Sequence, residues 1–267
     1  MIRTLTHDDF ESLNAAFTAA FSDYVVKLSP TREQLREMFT RRGWIPSLSV
    51  GAFDGNTLVA FTVNCVDGPL AYDSGTGVIP THRRRGLARE MMLKSFEVLG
   101  GCEGYVLEVL DNNPAAIALY RDLGFREVRG LQCWTYESSS LPVDESSSSG
   151  RRLDDLETRR LFRDIQPSWQ NSDAAIARAT HPSTTLGDDD GYAIVFPDTG
   201  DLPQLAVRRE ARRRGVGTRL LNAAAQAAGK PLRIMNVDER DAGITAFLER
   251  VGARRTVRQL EMLRPLR

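Results

Sequence analysis

Two stretches of this 267-residue sequence combine arginine and glycine in a way that suits the binding of a phosphate group. The first reads Arg83-Arg84-Arg85-Gly86, and the second reads Arg212-Arg213-Arg214-Gly215-Val216-Gly217. Each follows an apolar run and precedes a segment whose apolar residues recur at helical spacing, which predicts a strand, a turn and then a helix. The first N–H groups of a helix have no partner inside it, and arginine offers forked donors to phosphate oxygens. We therefore predict two anion-binding cradles of the same design.

The cradles are not the only feature that repeats. Arg83 and Arg212 are 129 residues apart, and the helix ends Leu123-Gly124-Phe125 and Val251-Gly252-Ala253 are 128 residues apart. Two landmarks with nearly the same offset indicate a duplicated domain. The chain is long enough for two domains of ordinary size.

The predicted domain boundaries follow from composition. The first domain covers residues 1–137, a Ser-rich linker covers 138–150, and the second domain covers 151–267. The linker holds two runs of serine with a Leu-Pro pair between them, which is typical of a solvated connection.

Alternating and helical patterns predict the elements that must position the cradles. In the first domain they are a strand at 2–5, helices at 7–21 and after 31, strands at 47–53, 57–66 and 70–79, the cradle helix, a strand at 105–110, a helix from 114 and a strand at 126–136. In the second domain they are helices at about 153–162 and 172–179, strands at 192–196 and 205–207, the cradle helix, a strand at 232–237, a helix at 244–251 and a strand near 256–263. The opening strand has no counterpart in the second domain, so this copy is expected to be trimmed at its N-terminus.

Composition excludes several classes of function. The 35 basic and 35 acidic residues balance, so nothing global indicates a nucleic acid or a membrane surface as partner. The cysteines, Cys65, Cys102 and Cys133, are odd in number and lack CxxC spacing, which argues against a disulfide framework and structural zinc. No segment resembles a signal peptide or a membrane span. A soluble, cytoplasmic protein without a metal is expected, either a monomer or a homodimer.

Two motifs in the first half resemble the GNAT superfamily of acyl-CoA-dependent N-acyltransferases. They are Val78-x-Pro80-x-x-Arg83-x-x-Gly86-x-Ala88 and Asn113-x-x-Ala116-x-x-x-Tyr120-x-x-x-Gly124-Phe125. The second half is similar at Val207, Arg212, Gly215 and Gly217. A P-loop needs Lys and then Ser or Thr after its second glycine, and neither copy has them. The resemblance implies an α+β fold of two tandem domains, each with a mixed, mostly antiparallel sheet flanked by helices.

In that family the turn before the cradle helix holds the pyrophosphate of coenzyme A through backbone amides, and the end of the preceding strand binds pantetheine. By resemblance, the coenzyme-binding residues of the first domain are Val78, Ile79, Arg84, Arg85, Gly86, Leu87, Ala88, Arg89 and Asn113. Those of the second are Val207, Arg213, Arg214, Gly215, Val216 and Gly217. Two other roles stay open, since Arg83 can cap the turn and Asn113 can cap the helix at Pro114. The implied co-substrate is acetyl-CoA, and the implied partner is an amine acceptor.

The resemblance also implies an acid and a base. An amine attacks a thioester only when it is neutral, so a general base must remove a proton, and the departing thiolate benefits from a nearby acid. Family members commonly use a tyrosine on the helix that Tyr120 belongs to. Asp73 and Glu108 are both candidates for the base, and each can equally be a structural carboxylate paired with an arginine.

The second copy departs from the pattern where the chemistry takes place. Leu248 stands in the place of Tyr120, Asp241 in the place of Asn113, and Arg209 in the place of Pro80. We therefore expect the first domain to catalyse and the second to be degenerate or auxiliary. Two alternatives remain, namely catalysis in the second domain and a non-catalytic acyl-CoA-binding protein. Nothing in the sequence identifies the acceptor amine.

Overall fold

A computed structural model describes residues 1–23, 30–137 and 156–267. The predicted linker and the first residues of the helix predicted near 153 lie outside the described residues. The chain forms two compact units. The first contains Met1–Val128 and Leu260–Arg267, and the second contains residues 129–259.

The elements follow the chain order predicted from sequence, except that the strand at Thr184–Asp188 was not among the predicted elements. They are β1 (Ile2–Thr4), α1 (Phe10–Ala20), α2 (Arg32–Arg42), β2 (Val50–Asp54), β3 (Thr57–Asp67), β4 (Leu70–Val78), α3 (Leu87–Val98), β5 (Gly104–Leu110), α4 (Pro114–Asp122), β6 (Arg126–Tyr136), α5 (Leu156–Leu161), α6 (Asp173–Arg178), β7 (Thr184–Asp188), β8 (Gly191–Phe196), β9 (Asp201–Val207), α7 (Val216–Ala228), β10 (Leu232–Asp238), α8 (Ala242–Arg250) and β11 (Arg254–Pro265). Among the described residues of the second half, no strand precedes β7, so nothing there corresponds to β1.

The sheet of the first unit has the strand order β1-β2-β3-β4-β5, followed by the residues of β11 from Leu260 onward. The pairs from β1 to β4 are antiparallel, and β4 and β5 are parallel. The tight turn between β2 and β3 has Gly55 at a φ of 57°, a conformation that is typical of a short hairpin turn. The fold is therefore a mixed, mostly antiparallel sheet flanked by helices, as predicted.

The helices α1 and α2 cover one face of this sheet because their apolar residues recur on one side. Phe17 of α1, Phe39 of α2 and Phe61 of β3 are almost fully buried in one cluster. Helix α2 begins where the Thr31 side chain accepts a hydrogen bond from the Gln34 N–H, and it ends at Gly43 in the left-handed conformation. Local capping thus fixes the length of the helix, and aromatic packing fixes its place on the sheet.

The second unit repeats this plan with a different closing strand. Its strand order is the residues of β11 before Leu260, then β6 from Arg129, then β10-β9-β8-β7. Strands β9 and β10 are parallel, and β7-β8, β8-β9 and β6-β10 are antiparallel. The apolar faces of α7 and α8 pack on this sheet through Leu221 and Leu248.

The compact units differ from the predicted segments 1–137 and 151–267 in their closing strands. The end of the chain completes the first unit, where Leu260 and Met262 are buried with Tyr105 and Phe125. Residues from Arg129 onward belong instead to the second unit. Strands β6 and β11 both follow a helix that ends at a glycine, and in both strands apolar and polar residues alternate. Local pattern alone therefore assigns each strand to the domain that precedes it in the sequence.

We predict that Met262→Ala destabilises the first unit, because Met262 is fully buried in its core. The free energy of unfolding should fall by about 2 to 5 kcal/mol, as for other large-to-small core substitutions. Denaturant unfolding measures the loss, and hydrogen exchange should show it in the peptides of β5 and α4. Arg254→Ala, at an exposed position of the same strand, is the control. Equal effects of the two variants would contradict the assignment of the last strand to this core.

Candidate functional site

Strands β4 and β5 separate part-way along their length. Their pairing ends at Asp73 opposite Leu107, although β4 continues to Val78 and β5 continues to Leu110. A bulge against β3 leaves Ser74 as an additional residue at the same level. The diverging strands leave backbone N–H and C=O groups that face a gap and require partners. This gap lies at the carboxyl end of β4, which leads directly into the first cradle.

The first cradle has the backbone geometry that an anion site requires. Arg84 and Gly86 have φ values of 62° and 81°. Helix α3 begins at Leu87, and its first internal bond runs from the Glu90 N–H to the Gly86 carbonyl, at 3.1 Å. The amides of residues 87–89 therefore have no acceptor within the helix. The nearest atom to a Cβ placed on Gly86 would be a carboxylate oxygen of Glu90 at 3.7 Å, so the space above the turn is open.

Arg83 is bound to the protein. Its Nε donates to the Val78 carbonyl at 3.2 Å, and its two terminal nitrogens bind the Asp23 carboxylate at 2.6 and 2.7 Å. One of these nitrogens also donates to the Ala20 carbonyl at 2.9 Å. Arg83 thus links the end of β4 to the end of α1 and stabilises the turn that follows β4.

Three other predicted coenzyme-binding side chains of the first unit have partners within the protein. The exposed Arg85 donates to the Thr81 carbonyl at 3.0 Å, and Arg89 forms an ion pair with Asp122 of α4. The Asn113 side chain accepts from the Ala116 N–H at 3.2 Å and so caps α4.

The backbone groups of Val78 and Ile79 point in different directions. The Ile79 N–H donates to the Val59 carbonyl at 3.0 Å, toward β3, whereas the Val78 carbonyl accepts from Arg83. The side chains of Leu87 and Val78 pack against the apolar cluster around Met91, so the polar groups that these residues can offer to a ligand are those of the backbone.

Asp73 and Tyr120 lie on the α3–α4 side of the sheet. The carboxylate of Asp73 accepts from the Gly75 N–H at 2.8 Å and from the Thr76 hydroxyl at 2.7 Å. Only 5% of Asp73 is exposed, and burial raises the pKa of its carboxyl to about 6 despite these hydrogen bonds. Tyr120 is 8% exposed and its ring meets Phe125 edge-on. Burial is the main reason why the pKa of the Tyr105 phenol is raised. Asp73 and Tyr120 raise it further through their electrostatic effects.

Glu108 faces the opposite side of the sheet. Asp73 pairs with Leu107, so the next residue of β5 points away from the Asp73 side. The Glu108 carboxylate accepts from the Tyr72 hydroxyl at 3.1 Å, and Arg42 of α2 acts electrostatically on the same phenol. The two candidate bases are therefore on different faces and do not form one cluster.

The second cradle repeats the geometry of the first. Arg213 and Gly215 have φ values of 64° and 83°, and α7 begins at Val216. Arg212 donates to the Val207 carbonyl at 2.9 Å and to Asp164 at 2.6 Å, which matches the contacts of Arg83. The same turn is therefore held in the same way in both copies.

A cavity of about 520 Å³ opens at the second cradle, within the second unit. Its lining includes Val207, Arg213, Gly215 and Gly217, whereas the predicted ligand residue Arg214 lies outside the lining. A Cβ on Gly217 would approach the Phe247 ring to 3.3 Å, so glycine allows α7 and α8 to pack closely there. The Val216 side chain is buried in the core, which leaves its amide as the group that can bind a ligand.

The comparison with known proteins identifies the family. The sequence profile of the Acetyltransferase (GNAT) family matches residues 10–125 and 155–253. The chain belongs to this family. The predicted resemblance is confirmed, and the family is matched once in each half.

One curated relative, of whose length this chain spans little more than half, and two solved structures resemble this chain. N-alpha-acetyltransferase RimI of Mycobacterium tuberculosis is 39% identical over 94 residues, which are 34% of this chain and 58% of that protein. A GCN5-related N-acetyltransferase from Sphaerobacter thermophilus has a TM-score of 0.76 at 14% identity, over 100% of this chain and 96% of its own. A tandem GNAT protein from the clavulanic acid biosynthesis pathway has a TM-score of 0.71 at 15% identity, over 100% and 98%. These two structures share the fold of this chain.

Some residues at the site of this GNAT chain belong to no sequence motif. The Tyr105 hydroxyl donates to the Asn64 side chain, which also donates to Ser95 of α3 at 3.1 Å. Tyr72 binds Glu108, as described above. These contacts join residues that are far apart in sequence, so no local spacing indicates them.

No metal centre is found in the described part of the chain, where no three His, Cys, Asp or Glu side chains are grouped to hold an ion. The helices at residues 1–23, 30–137 and 156–267 likewise include none that is both long and apolar enough to cross a membrane.

We predict a pH-dependent contribution of Asp73 to stability. Its pKa is about 6 in the folded chain and near 3.8 when unfolded, so the folded state binds more protons between these values. The free energy of unfolding should therefore fall as pH rises from 4 to 6, by about 2 to 3 kcal/mol from this group. Asp73→Asn should remove that part of the fall, as measured by denaturant unfolding at several pH values. Asp8→Asn, at an exposed position, serves as the control, and parallel profiles for wild type and Asp73→Asn would contradict the prediction.

Proposed function

We propose that the first unit transfers an acetyl group from acetyl-CoA directly to a primary amine, in the cytoplasm. The observation that carries this proposal is the gap between β4 and β5, which leads into an open turn with unpaired helix amides. Such a gap supplies backbone partners for a pantetheine arm, and the turn supplies donors for a diphosphate. Membership of the acetyltransferase family gives the reaction class.

In the proposed reaction the neutral amine nitrogen attacks the thioester carbonyl carbon. The carbon–sulfur bond then breaks, the nitrogen loses a proton to a base, and the thiolate gains a proton from an acid. Tyr120 is the proposed acid, because it lies on α4, the helix that follows β5, and its phenol is buried in the apolar cluster that includes Leu107 and Val109 of β5. Proton transfer of this kind contributes about 10²- to 10⁴-fold to a rate.

Glu108 is the proposed base. Asp73 is less suited to the role, because two internal donors already bind its carboxylate and little of it is exposed. Glu108 is only half-buried, and its contact with the Tyr72 hydroxyl orients it on the α2 side of the gap. Asp73 instead holds the bulge at Ser74 through the Gly75 N–H, which makes it a positioning residue.

The proposed coenzyme contacts of the first unit are the backbone groups at Val78 and at the turn from Arg84 to Ala88. Arg85 and Arg89 are proposed to add charge, and Asn113 to hold the start of α4. For the acceptor, the relative that acts on N-alpha amines favours a peptide α-amine as the first substrate to test. Free amino acids, small polyamines and aminoglycosides complete the panel.

We predict that Tyr120→Phe and Glu108→Gln each lower kcat by about 10²- to 10⁴-fold, with coenzyme affinity largely retained. Release of the free thiol of coenzyme A measures the rate, and titration calorimetry measures binding. Tyr136→Phe removes a hydrogen-bonded phenol of the second unit, and it is the matched control. Full activity of Tyr120→Phe would refute the role given to this phenol.

We also predict that Arg85→Glu weakens acetyl-CoA binding to the first unit by about 10- to 100-fold, because a charged donor becomes a repelling carboxylate. Arg126→Glu makes the same charge change at an exposed position of β6 and should leave the affinity unchanged. An unaltered KM for acetyl-CoA in Arg85→Glu would rule out this cradle as the coenzyme site.

A further inference from the structure

The last strand of the first unit runs antiparallel to β5, and one hydrogen bond sets its register. The Leu266 N–H donates to the Glu103 carbonyl at 2.9 Å, so the end of β11 lies beside the start of β5. In an antiparallel pair, a bond of this kind joins residues that are directly opposite each other. Glu108 is five residues after Glu103, and Glu261 is five residues before Leu266. Glu108 and Glu261 are therefore opposite each other.

Side-chain contacts on both faces of the sheet agree with this register. A Cβ placed on Gly104 would come within 3.0 Å of the Leu263 side chain, so these two residues share a face. Met262 is buried on the other face, in the apolar cluster that contains residues of α3 and α4. Side chains alternate between faces along a strand, so Glu261 lies on the face of Leu263. Glu108 lies on the face of Gly104 for the same reason, and the two carboxylates are neighbours.

This pair of carboxylates lies on the face of the sheet that carries the proposed base. Tyr72, whose hydroxyl binds Glu108 at 3.1 Å, lies on the same face. The Cβ atoms of opposed residues are about 4.5 to 5.5 Å apart in an antiparallel pair. Glu261 is 8% exposed, and Glu108 is half-buried. Two like charges in opposed positions repel each other, whereas a cation near both is attracted to both.

The next opposed pair on this face is apolar. It consists of Val106 of β5 and Leu263 of β11, and both are half-buried. Two carboxylates beside two alkyl side chains fit a ligand that has a hydrocarbon chain and a positive charge. A positive charge of the protein lies toward β4, where Arg42 donates to the Ser74 carbonyl at 3.1 Å. The negative charge is therefore concentrated toward β11.

The proposed reaction uses only one of the two carboxylates. The reacting nitrogen ends as a neutral amide, and its proton passes to Glu108. It therefore leaves no positive charge for Glu261. A second ammonium group on the acceptor, which takes no part in the reaction, supplies that charge together with hydrogen-bond donors.

We propose that Glu261 is a specificity-determining residue of the acceptor site and selects amines that carry a second positive charge. One amine of such an acceptor reacts at Glu108, while the other stays an ammonium ion bound to Glu261. The inference rests on the proposed function of the first unit, and it names the acceptor class as a dicationic amine. Glu261 comes from the last strand of the chain, which completes the sheet of the first unit.

The test compares 1,4-diaminobutane with butylamine, which share a primary amine and a butyl chain and differ in the second ammonium group. The wild-type chain should use the diamine with a kcat/KM about 10- to 100-fold higher, because a charge-assisted hydrogen bond is gained. Glu261→Gln should raise the KM for the diamine by a similar factor and reduce the preference to the statistical factor for two equivalent amines. Lysinamide and norleucinamide extend the comparison to α-amines. Release of the coenzyme A thiol measures the rate.

Glu103→Gln is the matched control, because it makes the same chemical change at an exposed position just before β5. It should leave the preference for the diamine unchanged. A second readout needs no turnover, since ligand binding stabilises the folded state. In denaturant unfolding, the diamine should stabilise the wild type more than butylamine does, and this difference should disappear in Glu261→Gln. A purely structural role of Glu261 would change the stability of the chain without changing this difference.

The outcomes separate this inference from the proposed function. A wild type that releases no thiol with any amine refutes the proposed function, and the unfolding measurement then still decides the role of Glu261. An active wild type without a preference for either dicationic amine refutes the role of Glu261 alone. A preference that persists in Glu261→Gln refutes that role as well.

Discussion

An arginine that reaches back to the strand before it is the interaction on which both sites depend. Arg83 binds the carbonyl five residues earlier, as does Arg212, and each is anchored to an aspartate that follows a helix, Asp23 after α1 and Asp164 after α5. This contact fixes the chain where it turns from strand to helix. In each turn an arginine (Arg84 or Arg213) and a glycine (Gly86 or Gly215) have left-handed backbone conformations. The first amides of the helix can then point toward one bound group.

Features set by local sequence were predictable. The two cradles, the hairpin at Gly55, the caps at Asn113 and Asp241, and the helix end at Gly124 each depend on a few neighbouring residues. Their spacing also shows the duplication, and the order of elements then follows. Helix and strand patterns therefore give the fold of each unit and the position of both turns.

Features set by contacts between distant residues were not predictable. Asp73 and Glu108 both follow apolar residues of central strands, yet the parallel register places them on opposite faces. The Asn171 side chain donates to the Met235 carbonyl of β10 and its backbone carbonyl accepts from Gln204 of β9, and both partners lie more than thirty residues away. Nor does any local pattern reveal that Met262 completes the core around Tyr105. From sequence alone, β11 is assigned to the domain formed by the residues that immediately precede it.

The place of the last strand has a consequence for how the protein is made. The sheet of the first unit lacks its edge partner next to β5 until residues 260–267 have been synthesised. During translation, β5 therefore waits with an unpaired edge and a partly uncovered core. The half of the chain that leaves the ribosome first therefore cannot complete its own sheet until the second half has been made.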